Sequence, residues 1–167
     1  MNLYHIGDLV QALSEFNSIL AALRKDEGRS LVLHLPEQAY SVLAAAIYKS
    51  IGSPVLFLSA HPETAKRRYE QIKMWMPQAE VVQYFPEVDL LAMSDSGDPL
   101  VISERLKTLS SLSDCTAIHK GIAAPLIVTS SLSLMSKSMP MKSLASSCTL
   151  IKRGEGFKIV PVGAPVH

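Results

Sequence analysis

Two short, uninterrupted apolar runs, Val55-Leu56-Phe57-Leu58 and Pro125-Leu126-Ile127-Val128-Thr129, constrain this chain more than any other feature. Each is too short for a helix. Apolar residues at every position, not every second one, mark strands covered on both faces in a parallel sheet. Two further β-like stretches, Ser30 to Leu35 and Glu80 to Phe85, bring the expected strands to four.

Helical patterns alternate with these runs. Asp8 is placed to cap a helix in which Leu9, Leu13, Phe16 and Leu20 recur at i, i+4, i+7 and i+11, ending near Gly28. From about Gln38 to Ile51 the chain is apolar nearly all round, as expected of a helix buried against a sheet, and Gly52-Ser53-Pro54 ends it. A helix opening at Pro62 puts Ala65, Tyr69, Ile72 and Met76 on one face, with Lys66, Arg67, Arg68, Glu70 and Lys73 elsewhere. Asp98 caps the next one, Pro99 takes its first position, and Ile102, Leu106 and Leu109 form the expected buried stripe. The serine-rich segment Ser130 to Ser147 carries Leu132, Leu134, Met135, Met139, Met141 and Leu144, which argues for one or two short helices instead of a solvated linker. The expected fold is therefore α/β, an open parallel sheet with helices on both faces.

With 167 residues, 48% of them apolar, the chain can bury one ordinary core. A net charge of +1 supplies no global field for nucleic acid, so any such contact depends on a local patch. Cys115 and Cys148 fit neither a disulfide framework nor a four-ligand zinc site, and read as reduced thiols. Met1-Asn2-Leu3-Tyr4-His5 does not open a signal sequence, and no apolar run approaches the roughly 18 residues of a membrane helix. A soluble cytoplasmic protein without membrane partners is expected.

In an open parallel sheet, phosphate binds at the turn between the first strand and the next helix, where helix amides converge. This chain has Leu33-His34-Leu35-Pro36-Glu37-Gln38-Ala39-Tyr40 there. A phosphate loop requires glycines, a lysine and a Ser/Thr in the order G-x-x-x-x-G-K-[ST], and none is present. Pro36 removes an amide donor, Glu37 adds negative charge, and Ala39 stands at the lysine position. Leu33, Pro36, Glu37, Ala39 and Tyr40 thus read as a vestigial loop that binds no cofactor.

The vestigial loop before an Ala-rich helix, then Gly52-Ser53-Pro54-Val55-Leu56 and a helix opening at Pro62, resembles the first domain of bacterial transcription-repair coupling factors. More specific are Tyr84-Phe85-Pro86-Glu87-Val88-Asp89-Leu90-Leu91 and Ile102-Ser103-Glu104-Arg105-Leu106-Lys107-Thr108-Leu109, similar to a family pair reading "FPxxExLP" and "IISERLxTL". Pro125 to Met135 is similar to "GVLVTPVSALMQ", and Cys148 to Glu155 to "HSLVLKVGD". The resemblance covers about residues 30 to 157. It implies a UvrB-like first domain (1–147) of RecA-like architecture with a degenerate nucleotide site, the truncated start of a UvrA-binding second domain (148–157), and an unassigned tail (158–167). ATP-Mg would be used only by the parent's downstream motor domains, which push along duplex DNA, displace stalled RNA polymerase and bring UvrA to the lesion. The module itself would be non-catalytic and make mainly intramolecular contacts with neighbouring domains. After Phe157 the sequence departs from the family pattern: Lys158 to His167 has two prolines and no helical stripe.

Other constellations are weaker. Lys66, Arg67, Arg68 and Lys73 could give weak, salt-sensitive DNA contact, but Glu63 and Glu70 among them favour a solvated helix face. Glu87, Asp89, Asp95 and Asp98 have no nearby histidine and read as capping and solvated groups, not metal ligands. His34, His61 and His119 lack catalytic or ligand spacing, and Trp75 beside Met74 and Met76 reads as the end of a packed helix. Two rival readings remain: a nucleotide-binding helicase-type domain with a noncanonical loop, and an autonomous DNA-binding adaptor.

Overall fold

The apolar run at Val55 and the one at Leu126 pair with each other. In the computed structural model, which describes residues 4–25, 30–88, 98–112, 124–140 and 143–144, β1 (Val55–Ser59) lies parallel to β3 (Leu126–Ser130), with Val55 opposite Leu126 and Ser59 opposite Ser130. The other edge of β3 takes β2 (Val82–Phe85), also parallel, with Val82 opposite Leu126 and Phe85 opposite Thr129. The order β1-β3-β2 puts the wholly buried strand at the centre of an open, three-stranded α/β sheet.

Among the described residues six helices accompany it: α1 (Tyr4–Gln11), α2 (Ser14–Lys25), α3 (Ala39–Ile51), α4 (Pro62–Trp75), α5 (Pro99–Leu112) and α6 (Ser131–Met135), with a 3-10 turn at Ala79–Val81. Strand side chains alternate, so Val82, Leu126 and Val128 share one face. There they meet Ala44, Ala45 and Tyr48 of α3 and Ala65 and Ile72 of α4 in a single buried cluster. Burying a side chain such as Ile72, Leu126 or Val128 stabilises the fold by roughly 1.5–3 kcal/mol each. The small α3 residues allow the helix close approach, and the Tyr48 hydroxyl donates to the Ala124 carbonyl just before β3. The other side of α3 buries Ala46 against Phe16 and Leu20 of α2, which explains why its sequence is apolar nearly all round.

Helix ends follow local chemistry. α3 stops at Gly52, whose φ of 68° is the left-handed region a glycine enters without a Cβ penalty. α4 starts with Pro62 at its first turn, and the Asp98 carboxylate accepts from the Leu100 amide at 2.9 Å to begin α5.

On the opposite face α5 covers β2 through polar groups. Ser111 Oγ donates to Gln83 Oε1 at 2.8 Å, and the Arg105 guanidinium lies 4.0 Å from the centre of the Phe85 ring. The expected stripe of Ile102 and Leu106 is exposed instead, because Arg105 and Thr108 take the inward positions and turn those leucine-type residues to the flank.

Four further expectations are corrected. Ser30 to Leu35 is not a strand: it joins no ladder among the described residues, Leu31, Val32 and Leu33 are exposed, and strand propensity without a pairing partner does not make a strand. The first helix is two helices. Ala12 and Leu13 close with i→i−3 bonds to Leu9 and Val10, Asp8 lies inside α1 rather than capping it, and the reoriented α2 buries Phe16 and Leu20 while Leu9 and Leu13 face outward. Among the described residues β1 is covered on one face only, with Leu56 and Leu58 each 53% exposed, since α5 sits over β2 at the far edge. The expected third strand starts later, at Val82, after the 3-10 turn. Cys115, Cys148, Asp89, Asp95, His119 and residues 148–167 lie outside the described residues.

Candidate functional site

The segment from Pro36 to Tyr40 is a tight turn. The Ala39 amide donates to the Pro36 carbonyl at 2.9 Å and the Tyr40 amide to that of Glu37 at 3.3 Å, launching α3 without a side-chain cap from Gln38. This geometry projects Glu37 towards α4, which packs beside α3. Two successive α4 arginines converge on one of its oxygens: Arg67 and Arg68 donate to Glu37 Oε1 at 2.9 and 2.6 Å.

The two arginines differ in surroundings. Arg67 is well exposed, so its ion pair is weakened by solvent and salt. Arg68 is only 4% exposed; it was expected on the solvated side of α4, and the structure places it inward, beside the core positions Ala65 and Ile72. A buried guanidinium must find acceptors. Besides Glu37 it donates to Gln71 Oε1 at 2.8 Å, an oxygen that also accepts from Ser41 Oγ at 2.8 Å. Its carbon also lies 5.5 Å from the centre of the Tyr40 ring. Ser41, Gln71, Arg68, Glu37 and Arg67 thus form one polar chain across the α3–α4 seam, lining a cavity of about 420 Å³ whose other walls include Met74 and Trp75.

Of the sequence-predicted residues, Glu37, Tyr40, Arg67 and Arg68 come together, while Leu33 is exposed on the approach and Ala39 opens α3. Lys73 is apart, 3.9 Å from Glu70 and 4.8 Å from the centre of the Tyr69 ring, and Lys66 is exposed with no ion pair to a described residue. The four cations therefore do not form one patch. Trp75 is partly buried against the core at the end of α4, as expected. Among the described residues no three His, Cys, Asp or Glu side chains are grouped to hold a metal ion. His34 is exposed and His61 precedes α4.

Sequence reasoning missed Arg105. Its guanidinium, 5% exposed, donates to the carbonyls of Pro86 at 2.6 Å and Ser133 at 3.4 Å and to Ser138 Oγ at 2.5 Å. Burial pushes it below the usual guanidinium value. It ties the end of β2 to the segment after α6. The available signal was Arg105 and Thr108 at i, i+3 ahead of a serine-rich stretch full of acceptors, which an apolar-stripe search passes over. No family model, curated protein or solved structure matches the chain.

Proposed function

We propose that the chain is the non-catalytic N-terminal module of a transcription-repair coupling factor, a RecA-like domain without a working nucleotide site that serves interaction and scaffolding in a cytoplasmic repair protein. One observation carries this reading. At the turn that opens α3, which the family resemblance aligns with a phosphate loop although no sheet strand precedes it among the described residues, Glu37 presents a carboxylate held by Arg67 and Arg68, so these cations already have an internal anion. The order of elements supports the family assignment. Tyr84-Phe85 ends β2 with Pro86 just after it, Ile102 to Leu109 lies on α5, and Leu126 to Ser130 forms β3 ahead of α6. Contacts with UvrA, RNA polymerase and duplex DNA belong, in this reading, to the parent protein, whose ATP-Mg chemistry resides in its motor domains.

Calorimetry and thermal melting with ATP-Mg test the first half: no heat of binding and no rise in melting temperature are expected, and a micromolar site would overturn it. Interferometry against purified UvrA tests the second, with this chain beside a version extended through the second domain. Tight binding by the extended form alone is expected. Equal affinity of the two would mean that the first domain carries the contact.

A further inference from the structure

The polar chain at the α3–α4 seam has an unbalanced charge and an apolar wall, and both point to a ligand. Arg67 and Arg68 carry two positive charges against the single carboxylate of Glu37, and both donate to the same oxygen, Oε1. A guanidinium has five N–H donors. Towards the described residues, Arg67 spends one on Glu37, and Arg68 spends two, on Glu37 and Gln71. Counted over these three residues the cluster keeps one positive charge, and exposed Arg67 keeps donors that no described residue takes, beside a cavity of about 420 Å³, within the roughly 300–1,000 Å³ typical of ligand pockets. Met74, well exposed, and Trp75, half-buried, complete the wall.

We propose that this cavity binds a short acidic-apolar peptide segment, one Asp or Glu carboxylate meeting Arg67 and Arg68 while the neighbouring apolar side chain lies on Met74 and Trp75. A monoanion is favoured over a dianion by charge: one carboxylate brings the cluster to neutrality, whereas a phosphate dianion would leave a net negative charge beside the exposed carboxylate of Glu37. Glu37 is itself the template, since it shows the arginine pair receiving a carboxylate oxygen. A peptide is favoured over a bare carboxylate by the wall, because Arg, Trp and Met are the residue types enriched where proteins bind proteins. The proposal is independent of the family assignment and requires no nucleotide chemistry.

Trp75 is the sole tryptophan, so its emission reports directly on this cavity. The probes are acetyl-Leu-Glu-Leu-amide, its Gln counterpart, propionate and inorganic phosphate, titrated into the wild-type chain, Arg67→Ala and Glu37→Gln. The Glu peptide should shift Trp75 emission saturably, and the Gln peptide, propionate and phosphate should each bind about tenfold more weakly or less. Arg67→Ala should lose about tenfold in affinity for the Glu peptide at an unchanged melting temperature, because Arg67 is a surface residue. Glu37→Gln removes the resident negative charge and should tighten binding. Equal affinity for the Glu and Gln peptides, tighter binding of phosphate than of peptide, or no response in both the wild type and Glu37→Gln would each overturn the proposal. Propionate matching the Glu peptide would show a carboxylate site without the apolar subsite and overturn the peptide assignment.

Discussion

Replacing Arg105 by methionine should destabilise the fold by about 3 kcal/mol, although methionine fills much of the same volume. Two of its hydrogen bonds are short, to the Pro86 carbonyl at 2.6 Å and Ser138 Oγ at 2.5 Å, while those to the carbonyls of Ser133, Ser136 and Lys137 lie at 3.4–3.5 Å and count for little. A hydrogen bond to a charged group contributes roughly 1.5–3 kcal/mol, so the two short ones set a gross loss of about 3–6 kcal/mol. Relief from burying a charge returns part of it, since exchanging a buried ion for an apolar side chain recovers desolvation. The balance stays unfavourable because the buried Pro86 carbonyl is left without its donor. Arg105→Lys should fall between, since an ammonium lacks the planar fork that reaches both acceptors. Urea unfolding followed by Trp75 emission gives the free energies directly, and melting should drop by roughly 6–12 °C for Arg105→Met at about 2–4 °C per kcal/mol. If Arg105→Met were within about 0.5 kcal/mol of the wild type, the residue would be an incidental buried cation and the clamp argument would fail.

Alkaline pH should unfold the protein earlier than an exposed tyrosine would require. Burial raises Tyr48, and burial together with Glu87 and Glu104 raises Tyr84, so the native state keeps their protons longer than the unfolded chain does. Stability is then full below about pH 10, the unfolded tyrosine value, and is lost as pH rises through the native values; Tyr48→Phe should flatten that loss in a melting-versus-pH series. Gly52→Ala should cost about 1 kcal/mol, read from chemical denaturation, because alanine is strained at φ 68° although the space around the site is open. Duplex DNA should bind weakly and lose affinity steeply between 50 and about 150 mM salt, since Arg67 and Arg68 already face Glu37. Submicromolar binding at the higher salt, abolished by Arg67→Glu, would reinstate the cations as a nucleic-acid site.

What could be read from the sequence was whatever depended on local chemistry. β1 and β3 came from unbroken apolar runs, α4 from Pro62, α5 from Asp98-Pro99 and the end of α3 from Gly52, because each signal acts within a few residues. Errors arose where a distant partner decided the outcome. Leu31-Val32-Leu33 has strand-like composition but lacks a ladder, and β1 has buried-strand composition but sits at an edge. Arg68 and Arg105 look like solvated helix cations until carbonyls and a carboxylate from other segments are placed around them, together with the Gln71 amide from Arg68's own helix. The candidate site was half legible for the same reason: Glu37 was identified as repelling phosphate, while its role as counterion to two arginines 30 and 31 positions away required the packing of α3 on α4.

The order β1-β3-β2 also dictates when the sheet can form during synthesis. β1 and β2 leave the ribosome first, yet neither pairs with the other; every ladder bond in the sheet runs to β3. Roughly 40 residues of synthesis separate Phe85 from Leu126, about 2–8 s at 5–20 residues per second. Through that interval Val55-Leu56-Phe57-Leu58 waits as an unpaired apolar strand on the nascent chain. The central strand is the last of these three to be made, so the step that joins the sheet is also the step that ends the exposure of β1 and β2 as unpaired strands.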